Sequence, residues 1–187
     1  MTVNIKFAKV RPDAIIPSKN VEDAGFDIYA NFEEDYIEIR PHETKLIPTG
    51  IASACPNDYA LVLFERGSTG SKGMARRAGI VDSSFRGEIF VGITNTNDQT
   101  LYISKLNKED LIVAEKNKLG DGIMTTLFGT FTADYINDNA IIYPYSKAIA
   151  QALIIPVPKA KIEEISYEEL KEIPSERGLG KLGSSNK

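Results

Sequence analysis

The chain has 187 residues with 42% apolar and 26% charged side chains, an ordinary mixture for one globular domain with or without a modest appendage. Its net charge of −4 argues against a general nucleic-acid binder, and no apolar run approaches the roughly 20 residues that span a bilayer. One cysteine, Cys55, and one histidine, His42, argue against an internal disulfide, a multi-histidine metal site and a Ser-His-Asp triad. Hydrolytic chemistry would therefore depend on carboxylates, a bound ion and positioned donors. Since the first residues also lack the basic-then-apolar order of a signal peptide, a reducing cytoplasm is the expected location.

Short strands separated by turn signals are predicted along most of the chain. Strands at this spacing, without alternating helices, indicate an all-β sandwich or barrel rather than a parallel α/β sheet. The runs that predict strands are residues 36–39, 45–48, 51–54, 59–64, 88–94, 141–143 and 152–157.

Two later segments differ in character from the strands. Residues 104–140 combine a charged stretch, compatible with a helix or an extended chain, with a glycine-, asparagine- and aspartate-rich part that predicts a looped excursion. Near the C-terminus, Ser166-Tyr-Glu-Glu169 matches a capping box and predicts a short helix that ends before Pro174. We therefore expect a β domain over residues 1–173 and a mobile glycine-rich arm over 174–187.

Three stretches combine residues that could carry chemistry. In Asp23-Ala-Gly-Phe-Asp-Ile, Gly25 permits a close backbone approach, while local features favour a turn that leads into a strand, with Asp27 capping backbone donors. In residues 65–73, small residues beside Arg66 and Lys72 suit phosphate binding, although a solvated loop is an equal alternative.

The segment 78–88, Ala-Gly-Ile-Val-Asp-Ser-Ser-Phe-Arg-Gly-Glu, is the most informative stretch. It predicts a β-hairpin with Asp82 and Phe85 near its tip. Backbone amides of such a hairpin can recognise a flat base, an aromatic ring can pack on a sugar, and an aspartate can deprotonate water. A plain surface hairpin, with Asp82 as a turn former, is the alternative.

Taken in order, five segments resemble the motifs of the trimeric dUTPase family. They are residues 23–28, 66–72, 78–88, 149–157 and the glycine-rich 177–185. The resemblance implies a jelly-roll-like β-clip fold with a short helix, assembly as a homotrimer with shared active sites, and a flexible C-terminal arm that closes over substrate. Some phage-encoded members resemble this chain in carrying extra residues at 104–140, which could be a surface excursion or a site for a protein partner.

The same resemblance implies a mechanism and its residues. Asp82 would activate the water that attacks the α-phosphorus of dUTP, giving dUMP and pyrophosphate. Phe85, in the position of a family tyrosine, would pack against deoxyribose. Mg²⁺ would be held mainly by phosphate oxygens, with Asp27 contributing through water. The remaining substrate contacts implied are the base-binding backbone at Gly79 and Val81, the triphosphate contacts Arg66, Gly67, Ser68 and Gln151, and the arm residues Arg177, Leu182, Ser184 and Ser185.

Several positions depart from the family pattern and leave alternatives open. Gly67 separates Arg66 from Ser68, Ser146-Lys-Ala148 replaces Gly-Asp-Arg, and Leu182 stands where an aromatic covers the base. A diphosphatase for another pyrimidine deoxynucleotide and a weakly catalytic nucleotide-binding regulatory trimer are therefore alternatives. A dCTP deaminase is disfavoured, because the position of its proton-shuttling glutamate is occupied here by Gly92.

Overall fold

The computed structural model describes residues 2–119, 123–126, 129–132, 140–176 and 178–179. Strands dominate these residues, which confirms the predicted all-β class. The helices are α1 (Gly67–Gly70), α2 (Lys108–Leu119) and α3 (Tyr167–Glu172). The strands are β1 (Lys6–Lys9), β2 (Phe26–Ile28), β3 (Tyr36–Ile39), β4 (Thr44–Pro48), β5 (Ile51–Ala54), β6 (Tyr59–Phe64), β7 (Met74–Arg77), β8 (Ile80–Val81), β9 (Phe90–Asn95), β10 (Leu101–Ser104), β11 (Ile123–Thr126), β12 (Gly129–Thr132), β13 (Ile141–Pro144) and β14 (Ala150–Pro156).

Most strands pair in the antiparallel sense with strands that are distant in sequence. Strand β14 lies between β2 and β6, and β8 extends that sheet on the other side of β6. Strand β9 lies between β4 and β7, and β1 pairs with β5. Strand β10 pairs with β3 in the antiparallel sense and with β13 in the parallel sense. Such long-range pairing places motifs that are far apart in sequence on neighbouring strands.

One apolar core joins these sheets. Ile47, Ile51, Leu61 and Ile103 come from four different sheets, and each is at most 1% exposed. Burying a side chain of this size stabilises the fold by about 1.5–3 kcal/mol relative to leaving it exposed. The core therefore fixes β2, β6 and β14, whose ends carry the residues of the candidate site.

The predicted strands at 36–39, 51–54 and 59–64 are confirmed with the same bounds, whereas β1 and β10 have no counterpart in the prediction. Strand β1 is mostly exposed, with a lysine at each end, so its sequence gives no apolar signal. All four residues of β10 are buried, so the strand lacks the alternation of apolar and polar residues that marks a half-buried strand in a sequence.

Residues 104–140 contain more regular structure than the predicted excursion. Helix α2 begins after Asn107, whose side-chain oxygen accepts a hydrogen bond from the Asp110 N–H at 2.9 Å, as an N-cap residue does. Strands β11 and β12 then form an antiparallel pair. The expectation of a looped excursion is wrong for β11 and β12, because the two threonines in each strand, with Ile123 in one and Phe131 in the other, favour extended chain.

The described residues after Val157 belong to a second compact unit that contains α3. The predicted capping box is confirmed: Ser166 Oγ accepts from the Glu169 N–H at 3.2 Å, and Glu169 Oε2 accepts from the Ser166 N–H at 2.8 Å. These hydrogen bonds lower the pKa of Glu169. The boundary predicted between residues 173 and 174 stays a prediction. Among the described residues, no helix is long and apolar enough to cross a membrane.

Candidate active site

An ion pair between Asp27 and Arg66 lies at the centre of the candidate site. Arg66 Nε is 2.9 Å from Asp27 Oδ1, and Nη2 donates to Oδ2 at 3.2 Å, so the guanidinium contacts both carboxylate oxygens. The Arg66 N–H donates to Oγ1 of the fully buried Thr69 at 2.9 Å, which fixes the backbone at the start of α1. Two-point pairing of this kind orients a guanidinium more firmly than a single contact does.

Gln151 joins the same cluster through the pairing of β14. In register it lies opposite Asp27 on β2 and Phe64 on β6, and its Nε2 donates to the Glu65 carbonyl at 2.8 Å. A Cβ at Gly25 would lie 2.5 Å from Gln151 Oε1, so a larger residue at 25 would displace this amide. The predicted phosphate contacts Arg66 and Gln151 are thus brought together with Asp27.

Small exposed residues border the Arg66 guanidinium. Gly67 and Ser68 are exposed, and Arg66 Nη1 lies 3.4 Å from Ser68 Oγ and 3.5 Å from the Ala148 carbonyl. Displacement of the serine by one place relative to the family pattern therefore still leaves its hydroxyl beside the arginine. Thr69 and the Ala148 carbonyl were not among the predicted site residues, because their roles depend on the fold rather than on residue type.

The segment 78–88 does not form the predicted hairpin. Strand β8 pairs with β6, with Val81 opposite Leu61 and Ile80 opposite Val62, while β9 pairs with β4 and β7. Two positive φ angles, 55° at Ala78 and 139° at Gly79, turn the chain between β7 and β8. Because of this turn, the Gly79 carbonyl accepts a hydrogen bond from the Leu63 N–H at 2.8 Å, and β8 joins the sheet of β6.

Asp82 and Phe85 are both exposed in the turn after β8. The Phe85 N–H donates to the Asp82 carbonyl at 3.0 Å, and the side chain of Phe85 is 46% exposed. A Cβ at Gly87 would lie 2.7 Å from the Phe85 ring, so the glycine lets the ring fold back over the chain. The predicted sugar-packing residue thus lies beside the predicted catalytic carboxylate.

Within one chain, Asp82 is far from Arg66. The register of β8 with β6 places Asp82 next to Ala60, and six residues of extended chain from Ala60 to Arg66 span about 20 Å. The structure therefore forms two separate groups, one of Asp27, Arg66 and Gln151 and one of Asp82 and Phe85. The predicted arm contacts Arg177, Leu182, Ser184 and Ser185 lie outside the described residues.

Neither group is a protein-only metal cage. The described residues contain no cluster of three or more histidine, cysteine, aspartate or glutamate side chains. Asp27, the predicted indirect ligand, has both oxygens within reach of Arg66. This donor set fits a hydrated magnesium ion held chiefly by substrate phosphates, with few protein ligands.

A glutamate could not be accommodated at position 92 without a backbone shift. A Cβ built at Gly92 would lie 2.8 Å from the Arg77 carbonyl of the neighbouring strand β7. The proton-shuttling side chain of a deaminase is therefore absent and also sterically excluded from that place.

Comparison with known proteins identifies the family. The dUTPase family model matches residues 12–116. Deoxyuridine 5'-triphosphate nucleotidohydrolase of Nautilia profundicola is 30% identical over 189 aligned positions, covering 99% of this chain and 100% of that protein.

Solved structures of phage dUTPases share the fold. A mutant of the Staphylococcus bacteriophage 80alpha dUTPase, solved with dUpNHpp, superposes with a TM-score of 0.67 at 21% identity, covering 98% of this chain and 99% of that chain. A mutant dUTPase from phage phi11 of S. aureus, in which a structural Mg(II) ion is coordinated, has a TM-score of 0.56 at 18% identity over 87% and 96% of the two chains. The extent of the family match, together with the full-length relative, shows that this chain belongs to the dUTPase family.

Proposed function

We propose that the protein hydrolyses dUTP to dUMP and pyrophosphate. The observation that carries the proposal is the convergence of Asp27, Arg66 and Gln151, from three separate motifs, on one half-buried site built around an ion pair. A guanidinium held by a carboxylate and flanked by an amide and a hydroxyl is suited to binding phosphate oxygens. Deoxyuridine 5'-triphosphate nucleotidohydrolase is also the name of the full-length relative from Nautilia profundicola.

Asp82 is the proposed general base. Its exposed carboxylate is accessible to water and to a nucleotide sugar, and Phe85 in the same turn offers an apolar face for deoxyribose. Water deprotonated by Asp82 would attack the α-phosphorus, so that the bond between this phosphorus and the oxygen bridging to the β-phosphate breaks and pyrophosphate leaves. Positioning and charge stabilisation by Arg66 and Gln151 would supply most of the rate in such chemistry.

A complete site requires a second copy of the chain. With the sugar at Asp82 and the base on the backbone of Gly79 and Val81, the triphosphate points away from the Arg66 of the same chain, about 20 Å distant by strand geometry. Arg66 of another copy must then bind the phosphates. A homotrimer with shared sites, as the family resemblance implies, satisfies this requirement.

Exposed apolar side chains on the β4-β9-β7 sheet support an assembly. Leu46 is 68% exposed and Phe90 is 44% exposed, and register places them diagonally on the same face. In the proposed assembly these two side chains are apolar surface that a second copy of the chain would cover.

Mg²⁺ would supply charge neutralisation on the substrate phosphates when bound. Asp27 is the side chain proposed to contact its water shell, while Arg66 holds that carboxylate in place. The arm residues Arg177, Leu182, Ser184 and Ser185 are proposed to cover the bound nucleotide. The elements within residues 104–140 are proposed as the place for any protein partner.

The test is conversion of dUTP to dUMP with Mg²⁺, followed by chromatography, for the wild type and Asp82→Asn. We expect rapid conversion by the wild type and a loss of at least about a hundredfold in the variant, because an amide cannot act as a general base. Asp98→Asn is the matched control, since Asp98 is an exposed surface carboxylate paired with His42. Full activity in Asp82→Asn would refute the assignment, and formation of uracil nucleotides from dCTP would favour a deaminase.

A further inference from the structure

We infer that Arg76 contacts the edge of the base and favours nucleotides with a carbonyl rather than an amino group at the pyrimidine 4-position. The inference rests on the proposed nucleotide site and assigns it a specificity-determining residue. No predicted motif includes this arginine, which lies on β7 just before the Ala78–Gly79 turn.

The guanidinium of Arg76 lacks partners within the described part of the chain. Its Nε is buried and has no hydrogen-bond acceptor, and no carboxylate lies within salt-bridge distance of the group. The nearby Glu65 carboxylate instead accepts the backbone N–H of Arg76 at 2.8 Å. The protein encloses Nε, so the donors that an acceptor on a ligand can reach are the N–H groups of Nη1 and Nη2.

The Arg76 guanidinium is held in position by packing against the turn that would bind the base. The guanidinium carbon lies 5.6 Å from the centre of the Phe64 ring, and Nη1 lies 2.4 Å from the place that a Cβ at Gly79 would occupy. Only glycine at 79 permits this approach. The donor is therefore held against the backbone of Gly79 rather than free in solvent.

The distance along β8 indicates which part of a nucleotide would reach Arg76. Three residues of extended chain separate Gly79 from Asp82, a span of about 10 Å. With deoxyribose at Asp82 and Phe85, the base extends along β8 toward Gly79, and the edge opposite the glycosidic bond lies farthest from the sugar. That edge carries O4 in uracil and an amino group in cytosine.

The hydrogen-bonding groups of the guanidinium determine the preference for uracil over cytosine. Arginine offers N–H donors and no acceptor, so it can bind O4 of uracil but not the 4-amino group of cytosine. A site that leaves a buried donor unpaired rejects the wrong ligand more strongly than a site that merely lacks a contact. Thymine also has O4, so Arg76 should not distinguish dUTP from dTTP.

The test compares the wild type with Arg76→Met, which keeps an apolar stem against Phe64 but removes every donor. We expect the ratio of kcat/KM for dUTP over dCTP to fall about tenfold to a hundredfold, the effect of losing one charge-assisted hydrogen bond. The ratio for dUTP over dTTP should stay within about twofold. Arg77→Met is the matched control, because the neighbouring arginine is exposed and its Nε donates to Thr94 Oγ1 at 3.0 Å.

Binding of dUMP and dCMP, measured by calorimetry, separates this inference from the proposed hydrolysis. Preference for dUMP that Arg76→Met removes supports the inference even in a protein that hydrolyses no dUTP. Hydrolysis of dUTP with an unchanged dUTP-to-dCTP ratio in Arg76→Met overturns the inference and leaves the proposed function standing. Equal weakening of both triphosphates, with unchanged monophosphate binding, would assign Arg76 to the phosphates instead. If Arg76→Met does not fold, Arg76→Gln must lower the same ratio, because its amide has both a donor and an acceptor and so can pair with a carbonyl or an amino group.

Discussion

At Asp27 one carboxylate holds the Arg66 guanidinium through both of its oxygens. Asp27→Asn removes the charge and leaves a single acceptor, so Arg66 should spend less time oriented toward the phosphates. A charge-assisted contact in a half-exposed pair is worth about 1–2 kcal/mol, which corresponds to a fall in kcat/KM of about five- to thirtyfold. Steady-state kinetics should show the loss mainly as a higher KM for dUTP.

Titration with Mg²⁺ distinguishes the two roles open to Asp27. If Asp27 acts by positioning Arg66, the Mg²⁺ concentration for half-maximal activity stays the same in Asp27→Asn. A clear increase in that concentration would place Asp27 in the water shell of the metal. Unchanged kinetics at every Mg²⁺ concentration would remove Asp27 from the site.

The resemblance to the dUTPase motifs indicated Asp27, Arg66 and Asp82, because their residue types alone left a strand cap, a solvated loop and a turn former as alternatives. The partners of these residues could not be predicted in the same way. Gln151 is fixed by the Glu65 carbonyl, and the unpaired donor of Arg76 is visible only after β7 and β8 fold around Gly79. Such contacts depend on strand register, which the sequence of one strand does not determine.

Among the elements, α2 is anchored by a buried acid. Glu115, 5% exposed, accepts the Tyr36 hydroxyl of β3 and lies 3.4 Å from Lys118 Nζ. Glu115→Ala would leave the tyrosine hydroxyl without its acceptor, so we expect the free energy of unfolding to fall by about 1–3 kcal/mol. Urea unfolding measures the loss, and hydrogen exchange should rise first in the amides of α2.

Tyr36 gives this anchor a pH dependence. Burial raises the pKa of Tyr36 above its ordinary value, and the hydrogen bond to Glu115 raises it further. The pKa of Tyr36 in the folded protein exceeds the unfolded value of about 10. The stabilisation that Tyr36 contributes is therefore fully present below pH 10 and is lost as the pH rises through the folded pKa. Tyr36→Phe should flatten the decline in stability above pH 10. The same decline in the variant would show that Tyr36 is not its source.

Strands with clear apolar patterns, such as β3, β5 and β6, were predictable because one core selects their buried residues. The predicted pairing of β8 with the strand after it was wrong, since positive φ angles at Ala78 and Gly79 direct β8 to β6. A left-handed conformation at an alanine has no sequence signal. A helix at α2 was one of the two conformations expected for its charged stretch, whereas β11 and β12 were missed because glycine, asparagine and aspartate in that part of the chain indicate a loop.

At the scale of the whole molecule, the separation of Asp82 from Arg66 means that the proposed reaction would depend on an assembly of chains. Subunits carrying Asp82→Asn retain Arg66, and subunits carrying Arg66→Gln retain Asp82, so each variant alone should be inactive. Mixing the two by unfolding and refolding should restore activity, because some sites receive an intact residue from each type of subunit.

The activity that mixing restores depends on how the two variant subunits are distributed among the trimers. In equal mixtures with random assembly, about a quarter of the sites in a cyclic trimer combine an intact Arg66 from one subunit with an intact Asp82 from its neighbour. Activity should therefore approach a quarter of the wild-type value, and light scattering should give the mass of three chains. A site contained within one chain predicts no recovery at any mixing ratio, because every chain in the mixture lacks one of the two residues. The recovered fraction should also follow the product of the two subunit fractions, with its maximum at equal amounts. That dependence separates subunit sharing from contamination by wild-type protein, which would contribute a constant activity.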